Sequence, residues 1–357
     1  MGRLLVDLEE APWNNVSLTD DERINAFIQF IQCTPDEQAY RERLLQRIEE
    51  LVKEICPDAK LEFYGSMRTK TVIHSSDIDI NMFQPKVGEI QKRRIVLSIR
   101  KHLSAGAEFH ATARVPRIFF RDKSGLSVDI TFDNASAISS ANLQNEYADN
   151  HPVFRKLFML LKHWLFERRL DHVYIGGLGS SALSYMIIGW LEMQYHKKNI
   201  SAEQIPLREL LQQFFDFWGN KWAYDVFVLR PLTGQLVTKQ SKGWTVDARP
   251  ELLSIEDPID RTNDVAKQSF QIKMIRAAFV ASAIELGTDK WANAFAITFD
   301  EVNMHRDFRE VLHEQKAIVD YGNSSDEENI QDEENENDTA NKNVDSMDVD
   351  VDVATAV

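Results

Sequence analysis

Cysteine is nearly absent from this 357-residue chain. Cys33 and Cys56 stand far apart without a CxxC spacing, which argues against a disulfide framework and against a zinc knuckle, so the chain is expected to have no zinc site of its own. Long apolar runs are missing too. No segment approaches the roughly 18 to 20 consecutive apolar residues of a membrane span, and "MGRLLVDLEEAPW" lacks the basic-then-apolar order of a secretory signal. The Met-Gly start would suit myristoylation only with Ser or Thr in sixth place, where Val6 stands. These absences read as a soluble, intracellular protein with no membrane role. Basic charge is also short, with a net of −15.

That acidity is local. From Ser324 to Val357, twelve acids face Lys342 alone, so −11 of the net charge lies there and −4 on the rest. Few large apolar residues and a block of like charge are the composition of a disordered segment, expected over 321–357. Ser325, followed by Asp326, Glu327 and Glu328, fits an acidophilic kinase site.

What is present is a change of period along the chain. "SLTDDERINAFIQFIQ" offers a cap at Ser17 or Thr19 and helical spacing after it. "TPDEQAYRERLLQRIEELVKEICP" runs from a Thr-Pro cap to Pro57, with Leu44, Ile48, Leu51 and Ile55 on one face. "LEFYG", "DIDINMF", "ARVPRIFF" and "GLSVDITF" then read as strands, interrupted by a helix around "IQKRRIVLSIRKHL". After Asn150 the pattern is helical again, as in "PVFRKLFMLLKHWLFERRL" and "QIKMIRAAFVASAIEL". The expected fold is α+β, with a small mixed-sheet domain at 57–148 and helices on both sides. Residues 1–56 are expected to pack on the helical part at 149–320.

Within the strand region, "GSMRTKTVIHSSDID" places a Gly-Ser turn ten residues before two aspartates. Residues two apart in a strand share a face, so Asp77 and Asp79 point together while Ile78 and Ile80 enter the core. Their mutual repulsion is relieved by a divalent cation. Asp129 in "GLSVDITF" is out of phase with Val128 and Ile130, and a neighbouring strand would bring it beside the pair. Three such carboxylates can hold two Mg²⁺ ions about 3.5 to 4 Å apart. Gly65 would let backbone approach a phosphate, and Ser66 would add a hydroxyl and an N–H.

Other features admit a plain reading beside a functional one. Lys162 lies in an apolar helix, either snorkelled to solvent or paired with an anion. "GGLGSSALSYM" is a glycine-rich turn into a helix whose N-terminus could face an anion. "IEDPIDRTND" is either a solvated, helix-capping loop before "VAKQSF" or a ligand-reading loop. Arg93, Arg94, Arg100 and Lys101 form a basic run on a predicted helix, the usual mark of a solvated face.

Taken in order, G-S-x(10)-D-x-D, "APWNN", "ARVPRIFF", "VDITFDN", "LKHWLFERRLDHVYIGGLGSSALS" and "IEDPIDRTNDVAKQSFQIKMIRAAF" are similar to noncanonical poly(A) polymerases of TRAMP-type complexes, within the DNA polymerase β-like nucleotidyltransferase superfamily. The resemblance spans roughly residues 10 to 315. It implies a palm domain carrying Asp77, Asp79 and Asp129 as metal ligands for Mg²⁺ or Mn²⁺, and a helical PAP-associated central domain built from both chain ends. It implies transfer of AMP from ATP to an RNA 3′-hydroxyl with release of pyrophosphate, Asp129 organising the hydroxyl proton. Lys162 would reach the triphosphate and Ser180 a phosphate, with Ser181 under the base, where the family often has an aromatic; Tyr185 is a candidate substitute. Phe166 stands where some relatives have a second basic residue, leaving Arg168 or Arg169 to replace it. Asp257 would recognise the base, and Asn263 stands where uridylyl-transferring relatives carry histidine, which favours ATP over UTP. Nuclear residence, a zinc-knuckle RNA-binding partner and an RNA helicase are likewise implied by resemblance. A terminal uridylyltransferase and a catalytically silent scaffold of an RNA-decay complex are the competing readings.

Overall fold

A computed structural model describes residues 11–83, 87–112, 115–288 and 291–295. The chain divides into Met1–Phe308 and Arg309–Val357, and the described residues all belong to the first unit. The expected acidic segment at 321–357 lies outside them.

Helices begin where their caps predict. Thr19 and Glu22 form a capping box at the start of α1 (Asp20–Ile31), and Thr34 and Glu37 form another at α2 (Pro35–Lys53), with Pro35 in its first turn. A five-stranded mixed sheet follows: β1 (Lys60–Phe63), β2 (Ile78–Phe83), β3 (Glu108–His110), β4 (Arg117–Arg121) and β5 (Ser127–Phe132), in spatial order β1-β2-β5-β4-β3. Helix α3 (Gly65–Thr69) joins β1 to β2, and α4 (Glu89–His102) joins β2 to β3. Strands β2 and β5 are parallel and central, the other pairings antiparallel. Ile78, Ile80, Val128 and Ile130 are fully buried on one face. The alternate residues Asp79 and Asn81 therefore share the opposite face with Asp129 and Thr131, their register partners.

The rest is mostly helical: α5 (Ala135–Asn150), α6 (Val153–Glu167), α7 (Ser180–Gln194), α8 (Leu207–Asp216), then the hairpin β6 (Phe227–Arg230) and β7 (Gln235–Thr238), α9 (Lys239–Lys242) and α10 (Ile272–Leu286). One apolar cluster unites Ile24, Phe27 and Ile31 of α1 with Leu157, Trp164, Trp190, Phe214 and Phe279. Trp164 stacks on Phe279 at 5.2 Å and donates its indole N–H to Ser282 at 2.9 Å, so its loss should cost about 3–5 kcal/mol.

Some expectations need correction. Helix α2 does not join α1 on the helical part; its face of Leu44, Ile48 and Leu51 packs toward β1 and α4. Helix α5 and the β6–β7 hairpin interrupt stretches read otherwise. The α5 sequence carries little apolar pattern; its start is fixed by Asn134, whose side chain caps the Ala137 N–H and whose own N–H makes a tertiary bond to Asn81. The hairpin strands are only four residues long around Gly234 at φ +53°. Helix α10 starts at Ile272, after a series of turns, rather than near Val265.

Candidate active site

Backbone pairing brings the site together. Tyr64 donates its N–H to the Asp79 carbonyl at 3.0 Å, extending the β1–β2 ladder to the entrance of α3. Gly65 follows at φ +57°, and a Cβ there would lie 2.2 Å from Asp79 Oδ2. Only glycine allows both that conformation and that carboxylate contact. Ser66 is buried, its carbonyl receiving the Thr71 N–H.

The loop leading to Asp77 is held from three directions. Its His74 N–H donates to the Ile31 carbonyl, and Cys33 donates to the carbonyl of Val72. Arg41, fully buried on α2, donates to the carbonyls of Ser76 at 2.8 Å and His74 at 3.3 Å. The Ser76 hydroxyl accepts the Ile73 N–H at 3.0 Å and the Lys162 ammonium, from α6, at 2.7 Å. Asp77 thus stands just before β2 rather than inside it, with two cations fixed behind it.

Asp79 and Asp129 face each other across the parallel pair. Arg117 on β4 donates Nη1 to Asp129 Oδ2 at 3.2 Å, while Asp129 Oδ1 is buried without a hydrogen-bond partner. The electrostatics follow from packing negative charge in a closed space. Burial, reinforced by the charges of Asp77 and Asp129, raises the Asp79 carboxyl to about 7. Burial also raises Asp129, opposed by Arg117. Asp77 is exposed to solvent, yet the crowding protein raises its carboxyl as well, with Lys162 and Arg41 opposing. Desolvation lowers the Lys162 ammonium against the pull of Asp77 and Asp79. A crowded, only partly compensated carboxylate cluster with an orphaned oxygen fits a divalent cation, for which Asp77, Asp79 and Asp129 would be the ligands.

Strand register and contact thus gather Gly65, Asp79 and Asp129, with Asp77 two residues before Asp79 and Lys162 bonded to its neighbour Ser76. Asp257 and Asn263 form a second group: Asn263 donates its side-chain N–H to Asp257 Oδ2 at 2.9 Å, and Asp257 donates its backbone N–H to the Asn263 carbonyl at 3.0 Å. Their loop is exposed over residues 259–262, as a solvated loop would be, but it is anchored on both sides. Glu256 is buried and pairs with Arg230 and Lys242, while Asp264 receives the N–H groups of Ile255 and Ala266. Ser180 and Ser181 are exposed in the first turn of α7, which has no side-chain cap. Among the described residues, no hydrogen bond ties them to the carboxylates.

Two suggested substitutes do not serve. Tyr185 is 1% exposed and its hydroxyl bonds that of Ser140, so it offers no face to a base. Arg168 lies over the Trp164 ring at 4.5 Å and donates to the Ala294 carbonyl, turned into the helical core. Residues that sequence reasoning missed are Arg41, Ser76 and Arg117. Arg41 had a signal, since it shares the helical phase of Leu44, Ile48 and Leu51 and so puts a charge on a buried face. Elsewhere, Tyr147 and His196 surround the Glu192 carboxylate near His151, a separate polar cluster. Both cysteines are free thiols.

A mixed sheet whose two central parallel strands carry facing aspartates, beside the Gly65–Ser66 start of α3 and a helical partner layer, defines a nucleotidyltransferase of the polymerase β type. Residues 21–149 match the family described as "Poly(A) RNA polymerase, mitochondrial-like, central palm domain", and 206–263 match "Cid1 family poly A polymerase". Poly(A) RNA polymerase cid12 of Schizosaccharomyces pombe is 51% identical over 92% of this chain and 98% of its own length. Poly(A) RNA polymerase protein 2 of Saccharomyces cerevisiae is 32% identical over 78% of this chain, which spans about half of that longer protein (49%). The solved polymerase core of TRAMP, an RNA surveillance complex, superposes with a TM-score of 0.67 at 28% identity, covering 82% of this chain and 93% of that one. A Cid1 poly(U) polymerase mutant bound to MgATP shares the fold, with a TM-score of 0.69 at 22% identity over 78% of this chain and 98% of its own. The chain belongs to the Cid1-type family of noncanonical poly(A) RNA polymerases.

Proposed function

We propose that this enzyme adds AMP from ATP to RNA 3′ ends without a template, releasing pyrophosphate. The observation that carries the reading is the Asp79–Asp129 pair, with Asp77 two residues before Asp79 and Gly65 pressed against Asp79. Such carboxylates would hold two divalent cations, Mg²⁺ or Mn²⁺, which activate the attacking hydroxyl and neutralise the leaving phosphate. Lys162, next to Asp77 through Ser76, would hold the triphosphate. Asp257 and Asn263, already bonded to each other, would read the base edge, and an Asn offering both donor and acceptor favours adenine over uracil.

The described body is not basic enough to grip RNA strongly by charge alone. Its likeness to the polymerase core of TRAMP, an RNA surveillance complex, supports a role in RNA surveillance; nuclear residence, a zinc-knuckle RNA-binding subunit and an RNA helicase are proposed with it on the sequence resemblance alone. The test incubates the chain with labelled single-stranded RNA, Mg²⁺ or Mn²⁺ and each NTP separately, beside a variant with Asp77→Ala and Asp79→Ala. A ladder with ATP that the variant lacks is the expected result. A ladder with UTP alone overturns the adenylyl assignment, and no extension even with a zinc-knuckle partner points to a silent scaffold.

A further inference from the structure

Three successive apolar side chains, Val173, Tyr174 and Ile175, are exposed on a turn that precedes α7, and Tyr174 is 81% exposed. A surface tyrosine of that exposure usually has no fixed partner, but this one does. Arg117 donates Nη2 to the Tyr174 hydroxyl and Nη1 to Asp129 Oδ2, so a single guanidinium spans the tyrosine and the carboxylate. The turn is also continuous with a second exposed aromatic. A Cβ on Gly176 would meet the Phe270 ring at 2.4 Å, and Phe270, 45% exposed, has the Arg249 guanidinium 5.5 Å from its centroid. Aromatic faces alternating with guanidinium groups thus lead away from Asp129.

The carboxylates have unlike surroundings on their two sides. Lys162, bonded to the Ser76 hydroxyl, stands next to Asp77, and a triphosphate would meet its ammonium there. On the Asp129 side Tyr174 and Phe270 expose aromatic rings, which match the unstacked bases of a single strand rather than phosphates alone. We infer that Tyr174 stacks on the 3′-terminal base of the RNA primer, with Phe270 and Arg249 receiving the nucleotide upstream. This assignment rests on the proposed function, which places the RNA 3′-hydroxyl at Asp129.

The test uses the full chain and a single-stranded oligoribonucleotide with 2-aminopurine at its 3′ end, titrated with Mg²⁺ but no NTP, and then primer extension with ATP. Base–aromatic stacking is sequence-tolerant and carries much of single-strand affinity. Tyr174→Ala should abolish the 2-aminopurine quenching and raise both the Kd and the KM for RNA tenfold or more, leaving the KM for ATP unchanged. Tyr174→Phe and Tyr174→Trp should restore quenching and RNA KM, because they keep the ring. Phe270→Ala should weaken RNA binding while sparing the 3′-terminal quench. An unaltered RNA KM in Tyr174→Ala, a change confined to the KM for ATP, or a Phe variant as defective as Ala would each overturn the assignment. If the wild type extends nothing, the transferase reading fails, and the quenching titration still decides whether Tyr174 meets the RNA end.

Discussion

Replacing Gly65 by alanine separates two effects that usually travel together. The first is conformational: at φ +57° an L side chain costs about 1–2 kcal/mol. The second is steric. A Cβ 2.2 Å from Asp79 Oδ2 must push that carboxylate away by roughly 1.2 Å to reach ordinary contact, and misplacements of about 1 Å near reacting groups cost on the order of 10²-fold in rate. Gly125 provides the control. It sits at φ +82° between β4 and β5 with nothing within 4 Å of its would-be Cβ, so Gly125→Ala carries the conformational cost alone. Both variants should lose a few degrees of Tm, about 2–4 °C per kcal/mol for a body of this general size. Only Gly65→Ala should lose kcat, by about a hundredfold, in extension of a labelled RNA with ATP and Mg²⁺, with circular dichroism melting as the stability readout. Equal kcat in the two alanine variants would refute the claim that the Gly65–Asp79 contact sets the position of the carboxylate.

Three further outcomes follow from the same site. Asp79 is raised from 3.8 to about 7 in the folded chain, so without metal it contributes stability that is complete below about 3.8 and is lost as pH rises through about 7. In EDTA the Tm should therefore fall between pH 6 and pH 8, with Mg²⁺ flattening the slope; a Tm rising over that window contradicts the cluster electrostatics. Arg41→Met leaves the buried Ser76 and His74 carbonyls without their donor and should cost about 1–3 kcal/mol in urea unfolding, together with a loss of transfer activity, since the loop that sets Asp77 loosens. An unchanged urea midpoint would remove Arg41 from that role. Asn263→His breaks the donor to Asp257 and should lower the ratio of ATP to UTP incorporation, measured as kcat/KM for each; an undiminished ratio argues that the Asp257–Asn263 pair does not read the base.

The legibility of this chain depended on whether a signal was local. Alternation in "DIDIN" and "SVDIT" was readable because each strand buries one face completely, and a slip of one residue would drive Asp79 or Asp129 into the Ile78–Ile130 layer. The caps at Thr19 and Thr34 were readable for the same reason, since partner and cap lie three residues apart. That Asp79 meets Asp129 is a property of sheet order, with β5 entering between β2 and β4, and no local pattern encodes it. Arg117 was illegible on those grounds: its partner across β4–β5 is Thr131, and it reaches Asp129 only because the two strands are neighbours. Lys162 and Arg41 show the intermediate case. Each is a cation among apolar helical neighbours, and such a charge is stable only where an acceptor waits on another element. For both, the acceptor is Ser76, whose hydroxyl takes Lys162 and whose carbonyl takes Arg41. A charge in the wrong helical phase therefore reports that a partner exists, and the fold alone reports that the partner is the residue before Asp77.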